Sequence, residues 1–261
     1  MNAALTDTFA PVRRIALDAA ATRLDPSLTL EWLESALLNR SRSVRDVARH
    51  HLARLELPID VVGHYRDSLL RPLRSRTLAI ALAGLRETGG PRDAELALGL
   101  LHHERPIVRR ASVRTVAALD VVNHLDRVVA MLHDPSPTVA TIAAEEIRPH
   151  ASTVGLDAFR VAFRSAPGLH NRVATASLAF GLGKWNSLLV LLETADGSEA
   201  ELKAVVDRWL RDWLARQNRS YSQPTTVQLE SIRCALAASG DRLEGDTRQG
   251  IEQTVAYWSP K

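Results

Sequence analysis

Arginine is the residue type in this sequence best suited to binding chemistry. Among the 33 basic residues only Lys184, Lys203 and Lys261 are lysines, so thirty are arginines. Residues 40–114 hold 15 arginines against 8 acidic residues, a local charge of +7, whereas the whole chain carries +3. A segment of this charge can attract phosphates or an acidic protein. A GC-rich genome is an equally good explanation of the bias toward arginine.

Histidines and an aspartate at two corresponding turns have the residue types of a metal site. His102 and His103 stand at one turn, and His133 and Asp134 at the next. A metal site needs three or four converging ligands, and the sequence has no HExxH motif and no Cys/His spacing. The lone Cys234 excludes an internal disulfide and any multi-cysteine site. We therefore expect no metal and no cofactor, and we interpret the histidines as turn and cap residues and Cys234 as a core residue.

Patterns of catalytic residues are missing from the sequence. There is no Gly-rich phosphate loop and no nucleophile elbow. The adjacent acids Glu145 and Glu146 would diverge by about 100° on a helix, so they cannot act on one substrate. Trp209 and Trp213 are four residues apart on one helical face, and we expect them to pack against other helices. The sequence predicts that the protein is not an enzyme.

The elements that position these residues follow from a helical pattern that recurs about every thirty residues. It is visible in SRSVRDVARHHLARL (41–55), RPIVRRASVRTVAAL (105–119) and PSPTVATIAAEEI (135–147). Its anchoring apolar residues are separated by 32, 64 and 31 positions, at Val12, Val44, Val108 and Val139. A weaker copy at Leu73 or Arg74 fills the double gap. This period predicts stacked helix pairs, in which no single pair buries its own apolar face.

Each repeat predicts a first helix, a tight turn and a second helix. The first helices are expected over residues 28–38, 59–70, 92–101, 121–132, 152–163 and 185–192. The second helices are expected to begin near Val12, Val44, Leu73, Val108, Val139, residues 169–173 and Leu202. Two further helices, at 225–238 and about 245–258, would close the C-terminal end.

The second helices are predicted to be amphipathic. Placed at 100° per residue, Ala111, Ser112, Val116 and Leu119 fall within about 80° of Val108. Arg109, Arg110 and Arg114 fall outside that arc, and Arg45 and Arg49 lie in the same way relative to Val44. We therefore expect these arginines to point away from the core.

The segments MLHDPSPTVATIAAEEI, LLHHERPIVRRASVRTVAAL and LLNRSRSVRDVARHHLARL resemble the HEAT-repeat family, in particular its short bacterial form seen in phycobilisome-lyase-like repeats. They match the leucine, the Asp-Pro turn, the Val-Arg pair and the alanine-rich second helix of that family. Ala140 departs from the pattern because it stands where the family has arginine. The resemblance implies an all-α, right-handed αα-superhelix of about six helix pairs with a C-terminal helical cap. It covers residues 5–216 with decreasing clarity.

The same resemblance gives two interpretations of the arginines. In solenoids of this type the second helices line the concave surface, so a basic trough for a ligand would be formed by Arg45, Arg49, Arg74, Arg76, Arg109, Arg110 and Arg114. Alternatively, a family position whose guanidinium bonds between repeats and holds the stack together would account for Arg13, Arg45, Arg74 and Arg109. Arg49, Arg76, Arg110 and Arg114 lie outside that position and are the better binding candidates.

The sequence predicts one continuous domain over residues 1–261, with a half repeat at 1–26, helix pairs at 27–216 and a cap at 217–261. The first helix would present Val12, Ile15, Ala16 and Ala19 toward the next repeat. Because no first-helix partner precedes it, we expect its outer edge to be a homo-oligomer contact or a junction with a preceding segment. No run of 18 apolar residues and no apolar signal core are found, which predicts a cytoplasmic protein without a membrane partner.

Two functions remain open from the sequence. The first is a non-enzymatic scaffold or adaptor that binds a protein or peptide, expected to be acidic, on an arginine-rich concave face. The modest net charge and the scarcity of lysine favour it. The alternative is a nucleic-acid-binding module, which the +7 segment supports. Such a module could be related to the alkylpurine DNA glycosylases, with Asp207 and Asp212 near the tryptophans, although no residue-by-residue match to that family is found.

Overall fold

The protein is helical throughout the part of the chain that is described. The computed structural model describes residues 2–195, 199–217, 221–239 and 242–258, and these contain α-helices, short 3-10 helices and no strand. The predicted all-α fold class is confirmed. None of the described helices is long and apolar enough to cross a membrane. The chain divides into two compact units, Met1–His124 and Leu125–Lys261.

The first unit is built from helix pairs. Its helices are α1 (Asn2–Leu5), α2 (Ala10–Arg23), α3 (Pro26–Leu37), α4 (Arg42–Arg54), α5 (Val61–Leu70), α6 (Ser75–Thr88), α7 (Ala94–Leu98) and α8 (Pro106–Asp120). A 3-10 helix at Pro91–Asp93 leads into α7. The predicted pairs are present, since α3 packs on α4, α5 on α6 and α7 on α8. Contacts between pairs join α2 to α4 and α6 to α8.

Helical spacing determines the core of this unit. α8 begins at Pro106, where the missing N–H of proline is tolerated and its φ is already helical. Val108, Ser112 and Val116 then follow at four-residue intervals and are fully buried, as predicted. Arg109 is buried as well, at 9% exposure, and Arg45 in α4 is buried at 3%. The expectation that all these arginines point away from the core is therefore wrong for Arg45 and Arg109.

The second unit is also built from α-helices joined by short 3-10 helices. Its helices are α9 (Leu125–Ala130), α10 (Pro137–Ile147), α11 (Ala151–Arg164), α12 (Leu169–Ala176), α13 (Lys184–Ala195), α14 (Ala200–Arg216), α15 (Thr226–Ser239) and α16 (Gly245–Tyr257). Its 3-10 helices are Met131–His133, Arg148–His150 and Ser177–Gly181. α10 packs on α12, α13 on both α14 and α15, and α14 on α16. The two predicted C-terminal helices, α15 and α16, therefore cover the α13–α14 pair.

The orientation of α2 differs from the prediction. Val12 and Ile15 were expected to face the next repeat, yet they are 40% and 60% exposed, and Phe9 beside them is 71% exposed. α2 packs on α4 and α3, and the residues that it buries are Arg13, Ala16, Leu17, Ala20 and Ala21. The one-turn helix α1 packs on α2 and was not predicted.

Three further elements differ from the sequence-based expectation. The helix predicted over 121–132 begins at Leu125 and ends in a 3-10 turn. α11 is broken at Gly155, whose φ of 78° lies in the left-handed region that glycine adopts without a steric penalty. Cys234, expected in the core, is exposed, because α15 buries the face of Leu229, Ile232 and Leu236 instead.

Candidate functional site

A groove in the first unit collects arginines from three helices. It has a volume of about 650 Å³ and is lined by α4 with the turn before it, α6 and α8. Seven lining residues are arginines: Arg40, Arg42, Arg45, Arg76, Arg86, Arg110 and Arg114. Five are apolar: Ala79, Ile80, Ala83, Ile107 and Ala111. Glu87 and Thr115 complete the lining. We call this surface the Arg groove.

The groove arises from the spacing of residues on α6 and α8. On α6 the lining residues are at positions 76, 79, 80, 83, 86 and 87, and on α8 at 107, 110, 111, 114 and 115. Residues three and four apart lie on one face of a helix, so each set forms one stripe. The stripes combine arginines with alanines, whose small side chains leave the space of the groove open.

Glu87 at the groove is paired with three arginines of α4. Its side chain is 4% exposed. Arg45 binds both of its carboxylate oxygens, with Nε 3.1 Å from Oε2 and with Nη2 on Oε1. Arg49 Nη1 donates to Oε2 at 2.9 Å, and Arg42 Nε lies 3.9 Å from Oε1. A carboxylate held in this way is a fixed counter-charge for the arginines around it.

Tyr65 connects this network to the core. The phenol is fully buried, donates a hydrogen bond to the Leu37 carbonyl at 3.2 Å and accepts one from Arg49 Nη1 at 3.2 Å. Burial raises the pKa of Tyr65, although the nearby Arg49 opposes the rise. The hydroxyl therefore stays protonated and able to donate. Arg49, expected to be available to a ligand, is committed to Glu87, Tyr65 and Asp46, and it does not line the groove.

Three arginines share one structural position. Arg13, Arg45 and Arg109 are each the fourth residue of their helix, and each donates from Nη1 to the carbonyl oxygen six residues earlier. The acceptors are Asp7 O, Asn39 O at 2.7 Å and His103 O at 2.9 Å. Arg13 Nη2 also reaches Asn39 Oδ1, in the turn of the next pair, at 3.2 Å. This geometry favours the stacking interpretation for these three residues over direct ligand binding.

Arg74 does not share that position. It lies before the first residue of α6, where it is exposed, and the fourth residue of α6 is the buried Leu78. The turn between α5 and α6, at residues 71–74, has four residues, as does the turn at 38–41 before α4, and Arg74 is the last residue of its turn and lies outside the helix. Arg74 is absent from the lining of the Arg groove as well.

The remaining arginines of the groove differ in whether they have an acidic partner and in how exposed they are. Among the residues described, Arg76, Arg86 and Arg110 have no acidic partner. Arg76 is exposed, and Arg86, Arg110 and Arg114 are half-buried. Of the seven arginines predicted to bind a ligand, four therefore line the groove: Arg45, Arg76, Arg110 and Arg114. Arg45 is paired with Glu87.

Sequence reasoning missed Arg40, Arg42 and Arg86. Arg86 is ten residues after Arg76 and so lies about 80° around α6 from it, which is why helical spacing from Arg76 alone does not identify it. Arg40 and Arg42 stand in the turn before α4 and at its first residue, where helical periodicity makes no statement. Arg40 Nη2 donates to Thr8 O at 2.9 Å.

The histidines considered as metal ligands have local structural roles. His103 Nδ1 accepts from the backbone N–H of Arg105 at 3.0 Å, and His133 Nε2 lies 2.8 Å from Ala162 O. Asp134 Oδ1 accepts from the N–H of Ser136 at 2.7 Å. Within the described ranges no cluster of three or more His, Cys, Asp or Glu side chains has the arrangement of a metal site.

Trp209 and Trp213 of α14 pack against aromatic residues outside that helix, as the sequence predicts. Trp213 Nε1 donates to Lys184 O at 2.9 Å, and its ring centroid is 5.9 Å from that of Trp185. Trp209 meets Phe180 edge-on. Asp207 is 4% exposed and its Oδ1 has no hydrogen-bond partner within the described chain. Burial raises the pKa of Asp207, and Glu244 adds to the rise.

No protein-family model matches the sequence, and no curated protein is significantly similar to it.

Proposed function

We propose that the protein is a non-enzymatic interaction scaffold that binds an acidic protein partner in the Arg groove. The observation that carries the proposal is the position of Arg76, Arg86 and Arg110 around one groove, without acidic partners in the described chain. Guanidinium groups bind carboxylates in a bidentate way and stay charged at all physiological pH values. The complementary ligand is a surface or segment rich in Asp and Glu.

A HEAT-like solenoid is the architecture we propose for the scaffold, with about six helix pairs in a right-handed superhelix. Its support is the recurrence of helix pairs in the first unit and the shared role of Arg13, Arg45 and Arg109. Ala140, the fourth residue of α10, is fully buried at the corresponding position. Repeating units of this kind place equivalent side chains at regular intervals, which is how a binding surface forms from second helices.

A catalytic role is not part of the proposal, because the groove provides guanidinium groups and aliphatic carbons. Glu87, the carboxylate at the groove, is held by Arg45 and Arg49 and is poorly placed to act as a general base.

Nucleic acid is the second candidate, and the seven arginines of the lining favour it. Phosphates attract the same groups as carboxylates. Two observations weigh against it. The lining includes no aromatic residue on which a base could stack. About a third of the lining residues are apolar, and aliphatic carbons add little to the binding of a phosphate backbone.

The experiment compares ligands by fluorescence anisotropy at several salt concentrations. The probes are a labelled 15-residue Glu/Ser peptide, a single-stranded DNA and a duplex DNA of mixed sequence. The variant Arg76→Ala/Arg86→Ala/Arg110→Ala should bind the peptide about tenfold more weakly, since exposed charge pairs contribute about 0.2–1 kcal/mol each. The control Arg14→Ala/Arg71→Ala/Arg92→Ala removes the same charge from exposed positions outside the groove and should change affinity little.

Peptide binding that both triple variants weaken equally would contradict the proposal, because the effect would then come from net charge alone. Tighter binding of either DNA than of the peptide, lost in the groove variant, would establish the nucleic-acid alternative instead.

A further inference from the structure

The apolar residues of the Arg groove indicate a more specific ligand than a carboxylate. Ala79, Ile80, Ala83 and Ala111 are half-buried and Ile107 is 37% exposed. They lie within the same groove as the arginines and do not form a separate patch. Exposed aliphatic surface in a recess gains free energy when an apolar side chain covers it, at about 25 cal/mol per Å².

The arginines around this apolar surface set the length of the ligand. Arg76 and Arg86 are ten residues apart on α6, which corresponds to about 15 Å along the helix axis. Arg110 lies on the neighbouring α8. A ligand that meets all three must carry acidic groups on both sides of its apolar contact and must span about three turns of the groove helices. A peptide helix of about ten residues has this length.

The groove has an excess of positive charge, because its lining holds seven arginines and one acidic residue, Glu87. Arg45 and Arg49 already neutralise Glu87, so a ligand does not have to break that pair to enter. Arg76, Arg86 and Arg110 would receive the ligand's carboxylates, and no acidic side chain of the described chain competes for them. A phosphate backbone would satisfy the arginines and leave the aliphatic surface in contact with charge.

We infer that the Arg groove binds an acidic amphipathic peptide segment, in which apolar side chains form one stripe and Asp or Glu residues flank it. This inference rests on the proposed function and narrows it to one class of partner. The apolar stripe would contact Ile80 and Ile107, and the flanking carboxylates would contact Arg76, Arg86 and Arg110. Recognition of this type places an amphipathic helix in a groove, with anchors at three- and four-residue spacing.

The test uses three labelled peptides of 15 residues with the full-length protein. The first has leucines at three- and four-residue spacing with glutamates on both sides of the stripe. The second has the same composition with the leucines spread around the helix. The third is the Glu/Ser peptide. The first peptide should bind at least about tenfold more tightly than either control, because burial of one aliphatic side chain provides about 1.5–3 kcal/mol.

A groove variant separates the apolar contact from the charge contact. Ile107→Gln changes an exposed side chain and leaves the arginines in place, so the fold should be retained. We expect Ile107→Gln to lower the affinity for the amphipathic peptide by about threefold to tenfold and to leave the affinity for the Glu/Ser peptide unchanged. Ile15→Gln, at an exposed apolar position on α2 outside the groove, is the matched control and should change neither.

The outcomes distinguish the inference from the proposed function. Equal affinity for all three peptides, with loss in the triple arginine variant, would overturn the amphipathic ligand and keep the acidic one. Equal affinity for the stripe and its scattered counterpart would also overturn it, since the effect would then be general hydrophobicity. Failure of every peptide to bind would overturn both proposals.

Discussion

Arg45 and Glu87 form a bidentate ion pair between α4 and α6, 42 residues apart in sequence, and both side chains are 4% exposed. Burial of two charges is costly, and their attraction offsets the cost only where the remaining polar groups are satisfied. Arg49, Tyr65 and the carbonyl of Asn39 supply those further bonds. The pair therefore holds the α4 side of the Arg groove in place relative to α6.

Replacing Glu87 with Gln should destabilise the protein by about 3–5 kcal/mol, because the buried Arg45 loses its counter-charge and the half-buried Arg49 keeps only Asp46. Urea unfolding followed by circular dichroism measures the change. Glu95→Gln is the control, because Glu95 is exposed on α7 and its nearest histidine contact, to His124, is 3.9 Å. If Glu87→Gln were as stable as the control, the network would not hold the two helices together.

Adjacent arginines of α8 should separate stability from binding. Arg109→Ala leaves the carbonyls of His103 and Glu104 without their hydrogen bonds, and we expect a loss of about 1–3 kcal/mol. Arg110→Ala removes a half-buried groove residue and should change stability by less than about 0.5 kcal/mol. Only the second variant should directly weaken binding of the Glu/Ser peptide. Equal melting temperatures for the two variants would contradict this division.

Gly84 lies directly beneath the Tyr65 ring. A Cβ at this position would overlap the ring carbons, so Gly84→Ala should destabilise the protein even though alanine favours a helix. Overpacking of this kind costs about 1–3 kcal/mol. Gly99→Ala is the matched control, since its nearest neighbour would be the Leu96 carbonyl oxygen at 3.6 Å. Thermal unfolding of both variants tests the contact, and a Gly84→Ala variant as stable as the wild type would show that Tyr65 can move.

Helix pairs were predictable from the sequence because apolar or small residues recur with helical spacing within each repeat, as in Val108, Ser112 and Val116. The burial of Arg45 and Arg109 was not predictable from angles alone. It requires the turn before each helix to present a carbonyl six residues back, and that geometry belongs to the folded turn. The resemblance to HEAT repeats suggested a stacking role, yet it also assigned that role to Arg74, which precedes α6.

The Arg groove was predictable only in part, for a similar reason. Helical spacing identifies Arg76, Arg110 and Arg114 as outward-facing. It says nothing of Glu87, which is brought to Arg45 and Arg49 by the packing of separate helix pairs. Arg49 was therefore interpreted as a binding residue, although long-range packing gives it a partner.

Because of Asp93, the stability of the protein should fall at acidic pH. Its carboxylate accepts from Arg66 Nε at 2.7 Å and from the Gly90 N–H at 2.9 Å, and the bond from Arg66 lowers the pKa of Asp93 despite burial. A lowered folded-state pKa contributes stability above the unfolded value of about 4, and this contribution is lost as the pH falls through the folded-state value.

Asp93→Asn should therefore lower the melting temperature at pH 7, and the difference from wild type should shrink as the pH falls below about 4. Asp67→Asn, an exposed change of the same charge on α5, is the control. If the difference in melting temperature between Asp93→Asn and the wild type stayed constant from pH 7 to acidic pH, the charge of the Asp93 carboxylate would not contribute to stability.

Asp207 should have the opposite dependence. Burial and the nearby Glu244 raise the pKa of Asp207, while Lys203 and Arg211 oppose the rise, and its Oδ1 lacks a hydrogen-bond partner within the described chain. When the folded-state pKa of a carboxyl is raised, the protein loses stability as the pH rises from the unfolded value of about 4 through the folded-state value, because ionisation is easier in the unfolded chain.

Asp207→Asn removes that ionisation and keeps the size of the side chain. We expect the variant to melt at a higher temperature than the wild type at pH 7 and at nearly the same temperature below about pH 4. Asp212→Asn, an exposed change on the same helix, provides the comparison. A lower melting temperature for Asp207→Asn at pH 7 would mean that the ionised carboxylate is favourable, and Asp207 would then have a role in α14 that its burial does not explain.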